Sequence, residues 1–337
     1  MSKLTLGFVT GKNERVEPLF DGRVSVEGVE LVGTHSDPSE TFWRQLNFQE
    51  FEVAEMSLSS YLIARSRGID MIAIPVFPSR RFMHMELFYH VGSGIKQPGD
   101  LIGKRIGVGE YQQTAALWMR GILEHDFGVS QYKVHWYMER SEVFSHGGAT
   151  GFSPPEGISF NRIPPEKSLA SMLVNNELDA APTHRAFSRE SNIIDRSTQI
   201  RARGGDWTKV EPLFPDRIAE GSRFFKQHGY IPANHAYVIR GDIYRKSPWL
   251  AFNLYKAFVA AKEIAQDNLA SSIPSAMIFG PEYLAQTRAI FGNDPYPYGV
   301  HANRAMLQTI VDFSFEQGLT KEKQKVEDLF APSTLDL

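Results

Sequence analysis

The sequence predicts an α/β protein of two lobes, with the second lobe inserted into the first. Two observations indicate this architecture. Short apolar runs alternate with amphipathic segments in two successive series, and helical apolar stripes replace the strands after residue 240. Such alternation is typical of sheets whose strands run parallel. We therefore expect a first lobe over 1–86 and 210–337, a second lobe over 87–209, and a helical return onto the first lobe.

Eight apolar runs of strand length supply the two predicted sheets, and turn-forming or polar residues separate them. Four belong to the first lobe and four to the inserted lobe. They cover 4–10, 29–34, 51–58, 71–77, 104–110, 133–138, 158–164 and 178–183.

Helices are predicted where apolar residues recur at a helical period. Between the strands at 104–110 and 133–138, Trp118, Ile122 and Leu123 share one face, and the pattern stops at Gly128, a residue favoured just past helix ends.

Three further helices are expected after the last strand. The first covers 247–269, with Ser247 as cap and Pro248 at the first helical position. The other two cover about 281–291 and 302–317.

Composition excludes several classes of function. The chain has 36 basic and 39 acidic residues, so neither a nucleic-acid surface nor a basic membrane patch is indicated. It contains no cysteine, which removes thiol nucleophiles, disulfides and iron–sulfur clusters. The N-terminus lacks the apolar core of a secretory signal, and no run is long enough to span a bilayer. We expect a cytoplasmic protein that binds a small molecule; the oligomeric state, a homo-oligomer included, is left open.

The segment "FPSRRFMHMELFYH" holds the first group of candidate residues. Arg80 and Arg81 come just after an apolar strand, where ligands of open α/β sheets bind, and arginine can hold a carboxylate through two parallel hydrogen bonds. His84 joins them if the chain bends between lobes. The alternative is a surface loop with solvated arginines and a structural histidine.

Two helix starts form the second group. Glu55 and Ser57 end a strand and open a helix, and Gln112 and Thr114 do the same in the other lobe. Free N–H groups at helix starts bind anions, so these four residues are candidate ligand contacts. The alternative is that they only cap their helices.

Histidines after and before strands form the third group. His184 and Arg185 follow the strand at 178–183, and His235 precedes "AYVIR". Histidine titrates near neutrality and suits proton transfer, although a structural role is the alternative. No histidine or carboxylate cluster has metal-site spacing, so the spacing does not support a metal site, while a divalent metal is left open.

Several characteristic blocks follow one another along the chain: "FEVAEMSLSSYL", "AIPVFPSRRFMH", "DLIGKRIGVGEYQQTAALWMRGIL", "KSLASMLVNNELDA", "VEPLFPD", "YIPANHAYVIR" and "AFVAAKEIA". Together they resemble the 4,5-dihydroxyphthalate decarboxylase family. The resemblance implies a two-lobe type II periplasmic-binding-protein-like fold with a ligand cleft between the lobes. It also implies a carboxy-lyase of aromatic catabolism that works without a cofactor and converts 4,5-dihydroxyphthalate to protocatechuate.

The resemblance also implies roles for the candidate residues. Arg81 would hold a carboxylate, either His84 or His235 would deliver the proton, and Glu55 would accept from a ring hydroxyl. Thr114 and Gln112 would close from the other lobe, and Arg80 or Arg185 would hold a second acid group.

Two other functions remain as alternatives. A solute-binding protein for an aromatic or sulfonate-type acid would use the same lobes but need no proton donor. A different lyase or synthase on this fold, acting on menaquinone or pyrimidine precursors, is the third hypothesis.

Overall fold

The protein consists of two α/β lobes, each built around its own sheet. The computed structural model describes residues 3–182 and 206–337. The strands of this part are β1 (Leu4–Thr10), β2 (Val29–His35), β3 (Val53–Ser57), β4 (Met71–Ile74), β5 (Leu87–His90), β6 (Arg105–Val108), β7 (His135–Met138), β8 (Ser159–Arg162), β9 (Ala180–Pro182), β10 (Val210–Pro212) and β11 (His235–Arg240).

The helices of the same ranges flank these sheets. They are α1 (Glu17–Phe20), α2 (Pro38–Phe48), α3 (Leu58–Ser66), α4 (Thr114–Phe127), α5 (His146–Thr150), α6 (Leu169–Val174), α7 (Arg217–His228), α8 (Gly241–Lys246), α9 (Trp249–Ala276), α10 (Gly280–Phe291) and α11 (Arg304–Glu316).

The first sheet has the order β2-β1-β3-β11-β4. β1 runs parallel to β2 and β3, whereas β11 lies antiparallel between β3 and β4. This mixed sheet differs from the parallel one expected. The reason is that β11 brings the chain back from the second lobe. It therefore begins beside the carboxyl end of β3 and runs in the opposite direction.

The second sheet has the order β10-β5-β9-β6-β7-β8. β5 begins at Leu87, next to the predicted boundary, but the predicted return at residue 210 needs correction. Val210 pairs with His90 and Pro212 with Phe88, so β10 belongs to the second sheet and the chain returns only after Pro212. A strand of three residues is too short to show a periodic pattern, and its place is decided by its hydrogen bonds to β5.

The helices near the lobe boundary join the two sheets into one body. α4 ends at Gly128 in the left-handed conformation, with φ of 70°, where the sequence pattern stops. Its Trp118 is buried and donates from Nε1 to the carbonyl of Ala233, at 2.8 Å. α11 contacts both α3 and α4. The hydrophobic core therefore continues from one lobe into the other. Polar side chains meet at the ends of β1, β3 and β11 that face the second lobe.

Candidate active site

A carboxylate–histidine pair lies where β3 ends and β11 begins, on two inner strands of the first sheet. Ser57, the last residue of β3, pairs in register with His235, the first residue of β11, and Glu55 lies two residues further into β3. This register puts Nδ1 of His235 2.5 Å from Oε1 of Glu55. Both side chains are largely buried, with exposed fractions of 12% for His235 and 5% for Glu55.

The second oxygen of Glu55 is also engaged. Oε2 accepts from the Thr10 hydroxyl and from the backbone N–H of Gly11, each at 2.8 Å. Burial alone would raise the pKa of Glu55, but the hydrogen bonds from His235, Gly11 and Thr10 outweigh it and lower that pKa below its ordinary value. Since protein donors occupy both oxygens, the geometry favours Glu55 as the ionised partner of His235 rather than as the acceptor for a ring hydroxyl.

The second ring nitrogen of His235 contacts the amide of Asn234, and the imidazole packs against the ring of Phe42. Nε2 lies 2.8 Å from Nδ2 of Asn234, and Phe42 contacts the imidazole edge-on at a centroid distance of 4.8 Å. The imidazole therefore donates from Nδ1 and accepts at Nε2. Oδ1 of Asn234 is buried and has no hydrogen-bond partner among the described residues.

The starts of α3 and α4 meet across the two lobes. The hydroxyls of Ser57 and Thr114 are 2.8 Å apart, and Thr114 Oγ1 also accepts from the backbone N–H of Ser59 at 3.0 Å. The Ser59 hydroxyl donates to the carbonyl of Gln112 at 2.5 Å. Three predicted contacts, Ser57, Gln112 and Thr114, are thus brought together, and Ser57 uses its hydroxyl across the lobes instead of capping α3.

A buried ion pair that the sequence analysis missed lies on the second-lobe side. Glu110 follows β6, Arg140 follows β7, and Nη1 of Arg140 donates to Oε2 of Glu110 at 2.7 Å. Burial raises the pKa of Glu110, but Arg140, His146 and Ser145 outweigh that effect and lower it to about 2. Both residues follow strands at their carboxyl ends, the same signal that singled out Glu55.

His146 connects this ion pair to the first lobe. Its Nδ1 accepts from Arg140 at 3.1 Å, and its Nε2 donates to the carbonyl of Ser39 at 2.9 Å. Phe42 lies edge-on to His146 as well as to His235, with centroid distances of 5.9 and 4.8 Å. The sequence gives no signal for this histidine, because its surroundings are rich in Gly and Ser and show no strand or helix period.

Arg80 has acceptors of its own inside the protein. Nη1 donates to the carbonyl of Ile231 at 2.9 Å, and Nη2 donates to the carbonyl of Pro297 at 2.7 Å and to Oδ1 of Asn303. Burial lowers the pKa of Arg80 to about 10. These acceptors account for the burial of the Arg80 guanidinium. Arg81 is 39% exposed and lies 3.1 Å from a carboxylate oxygen of Glu86.

His84 lies in a cluster of its own. It is fully buried, its Nε2 is 2.7 Å from Oε1 of Glu220, and the rings of Phe214 and Phe224 flank it. Desolvation lowers the pKa of His84, although Glu220 opposes this effect. None of these partners contacts the pair of Glu55 and His235, so the structure does not bring His84 to that pair.

No family model matches the chain. A 4,5-dihydroxyphthalate decarboxylase of Comamonas testosteroni is 31% identical over 339 aligned positions, which cover 100% of this chain and 99% of the relative. The chain belongs to the 4,5-dihydroxyphthalate decarboxylase family. A second member, from Pseudomonas putida, is 38% identical over 189 residues, or 56% of this chain and 73% of the relative.

Solved structures confirm the fold predicted for this decarboxylase family member. The aliphatic sulphonate binding protein SsuA of Escherichia coli superposes with a TM-score of 0.55 at 14% identity over 99% of both chains. A Candida albicans protein with the generic periplasmic binding protein fold gives 0.52 at 11% identity, over 100% of this chain and 98% of that one. The two-lobe periplasmic-binding-protein fold is therefore that of this family member as well.

Some predictions about this decarboxylase family member stay untested. His184 and Arg185 lie outside the described residues. Within residues 3–182 and 206–337, no three His, Asp or Glu side chains are grouped as a metal site would require. The helices of those ranges include none that is long and apolar enough to cross a membrane.

Proposed function

We propose that this chain decarboxylates 4,5-dihydroxyphthalate to protocatechuate, with His235 as the proton donor, in aromatic catabolism. The observation that carries the proposal is the buried pair of Glu55 and His235 beside the junction of the lobes. Family membership supplies the reaction, because the relatives from Comamonas testosteroni and Pseudomonas putida bear the name of this decarboxylase.

The substrate itself activates the carbon that loses its carboxylate. Each carboxylate of 4,5-dihydroxyphthalate is para to a hydroxyl, and the hydroxyl oxygen donates electron density to that ring carbon. A proton from the enzyme adds to the carbon, the bond to the carboxylate breaks, and its electron pair returns to the ring as carbon dioxide leaves. Because the phenol supplies the electrons, the proposal needs no electron-sink cofactor, and a cofactor-independent reaction remains our prediction.

His235 is suited to act as the acid for this step. The ionised Glu55 accepts the Nδ1 proton and stabilises the imidazolium form. In that form Nε2 carries a proton, and a rotation of the Asn234 amide would offer its unpartnered Oδ1 as the acceptor. After the proton leaves Nε2, the amide can return to donate to it, so both protonation states of the imidazole have partners.

The opposed helix starts are suited to hold the substrate. Hydroxyls of Ser57 and Thr114 from the two lobes lie within hydrogen-bond distance of each other, and a carboxylate or ring hydroxyl that enters between them would accept from both sides. Such positioning by both lobes lowers the entropic cost of reaching the reactive geometry. Carboxylate binding by Arg81 and a cytoplasmic location stay predictions.

Turnover by the purified protein tests the proposal directly. The chelator-treated protein is incubated with 4,5-dihydroxyphthalate, and protocatechuate and carbon dioxide are followed together. We expect both products in equal amounts, their loss in His235→Gln, and unchanged activity in His301→Gln, which alters an exposed histidine of the α10–α11 connection.

The same experiment separates the solute-binding alternative, for which the sulfonate-binding neighbours provide only a fold. Binding of 4,5-dihydroxyphthalate with no product would favour that alternative over the decarboxylase. Absence of both binding and product would contradict this substrate.

A further inference from the structure

A basic basin lies at the far end of α3 from the candidate active site. It is a concave surface of about 650 Å³ between the end of α3 and the segment that follows α11. α3 has nine residues, so its ends are about 13 Å apart. Five cationic side chains line the basic basin: Arg65, Arg67, Lys321, Lys323 and Lys325.

The two arginines of the basic basin are held in place without being neutralised. Arg65 donates to the carbonyls of Met71 and Asp328, at 3.2 Å each, and Arg67 donates to the carbonyl of Gly151 in the second lobe at 2.7 Å. Carbonyl oxygens carry no formal charge, so both guanidinium groups keep their charge facing the basin.

The lysines add to this excess of positive charge. Lys323 lies 2.7 Å from Asp312, whereas Lys321 and Lys325 are exposed and form no ion pair with the described carboxylates. Among the described residues, two acidic ones, Glu322 and Asp328, line the basic basin with the five cations. A concave surface with an excess of one sign concentrates its field and attracts counter-ions, and this excess is positive in a chain whose formal net charge is -3.

The remaining lining residues limit the chemistry of the ligand. The apolar ones are Leu319 and Leu329, and no aromatic ring from the described part of the chain lines the basic basin, so neither a nucleotide base nor the aromatic substrate has a stacking partner among these residues. Gln324 also lines it, and its Oε1 is buried with no hydrogen-bond partner in the described ranges. A protonated phosphate oxygen would donate to such an acceptor, whereas sulfate at neutral pH has no proton to donate.

We propose that the basic basin is a binding site for a compact phosphate-type anion, inorganic phosphate or pyrophosphate. Arg65 and Arg67 form its fixed wall, Lys321 and Lys325 close over the anion, and Gln324 selects an anion that carries a hydroxyl. The site is separate from the carboxylate–histidine pair and does not depend on the decarboxylase activity.

Titration calorimetry on the full chain tests this site without any turnover. Pyrophosphate, phosphate and sulfate are titrated separately at a constant ionic strength of about 0.15 M, at which exposed charges are screened beyond about 8 Å. We expect pyrophosphate to bind more tightly than phosphate, and phosphate more tightly than sulfate. The double substitution Lys321→Glu and Lys325→Glu should weaken pyrophosphate binding by about tenfold or more, because it removes two cations and adds two like charges.

A matched double substitution supplies the control. Lys226→Glu and Lys246→Glu change two other exposed lysines, and the net charge, by the same amount. This variant should bind pyrophosphate within about twofold of the original chain, and circular dichroism should show both variants folded. The proposal is wrong if the original chain binds no pyrophosphate, if both variants lose affinity equally, or if sulfate binds as tightly as phosphate.

Discussion

Nδ1 of His235 and Oε1 of Glu55 lie 2.5 Å apart, although 180 positions of sequence separate the two residues. They meet because the chain leaves the first sheet after β4, builds the second lobe and returns as β11, which lies antiparallel between β3 and β4. The pair therefore exists only when both crossings between the lobes are made.

The first prediction concerns this pair. His235→Gln removes the proton donor and should lower kcat by about 10²–10⁴-fold, the range that general acids contribute, with a much smaller change in KM. Glu55→Gln keeps the shape of the carboxylate but loses the charge that stabilises imidazolium, so we expect kcat to fall by a smaller factor. Steady-state kinetics with 4,5-dihydroxyphthalate measure both. A His235→Gln protein with the original kcat would show that another group donates the proton.

The second prediction concerns the contact between the lobes. Thr114→Val keeps the volume of the side chain but removes the hydroxyl that contacts those of Ser57 and Ser59, and it leaves the N–H of Ser59 without its partner. We expect the free energy of unfolding to fall by about 1–3 kcal/mol and KM to rise. Thr114→Ser restores the hydroxyl and should recover most of both losses in urea unfolding and in kinetics. Equal effects of the two substitutions would contradict a role for the hydroxyl.

The third prediction separates two neighbouring arginines. Arg80→Met leaves the carbonyl of Ile231 and Oδ1 of Asn303 without a donor, and it removes one of the two donors to the carbonyl of Pro297. The free energy of unfolding should fall by about 3 kcal/mol, since each buried group left unpaired costs about 1–3 kcal/mol.

Arg81→Met is the matched variant for this test. Arg81 is 39% exposed and pairs with Glu86, so its loss should change stability by about 1 kcal/mol or less and should raise KM if it holds a carboxylate. An Arg80→Met protein of unchanged stability and raised KM would assign the carboxylate to Arg80 instead.

The fourth prediction concerns the pH dependence of stability. The pKa of Glu110 is lowered in the folded protein from 4.5 to about 2. A carboxylate with a depressed folded pKa contributes stability above its unfolded pKa and loses that contribution as pH falls through the folded pKa. The stabilisation is therefore complete above about pH 4.5 and disappears as pH approaches 2, and its size is on the order of 3 kcal/mol.

Urea unfolding between pH 7 and pH 2.5 measures this dependence. Glu110→Gln should be less stable than the original chain at pH 7, and the difference should shrink below about pH 4.5. Glu263→Gln, at an exposed position of α9, should follow the original chain throughout. A difference that stays constant with pH would show that Glu110 does not titrate with folding.

Much of the fold could be predicted because local patterns persist in the structure. The runs at 4–10 and 29–34 contain β1 and β2, and the helical stripe that stops at Gly128 is α4. The direction of β11 and the sheet that contains β10 could not be predicted, since both depend on hydrogen bonds between segments far apart in sequence.

The candidate active site could be predicted only where its residues follow a regular element. Glu55, Ser57 and Thr114 lie at strand ends and helix starts. The spacing of apolar residues predicts where those strands end and those helices begin. Arg80 and His84 lie on an irregular crossing segment, where no period indicates which way a side chain points. Their contacts with Asn303 and Glu220 join residues more than 130 positions apart.

By itself, the sequence determined the family, the α/β class and which polar residues end the strands. These properties rest on short segments, in which neighbouring residues decide helix, strand or turn. Only the tertiary structure decided that Glu55 pairs with His235, that Thr114 joins the lobes and that Arg80 has carbonyl partners. The physical reason is that a buried charge or hydroxyl takes whichever partner the packed chain brings within about 3 Å, and that partner is chosen by the crossings between the lobes.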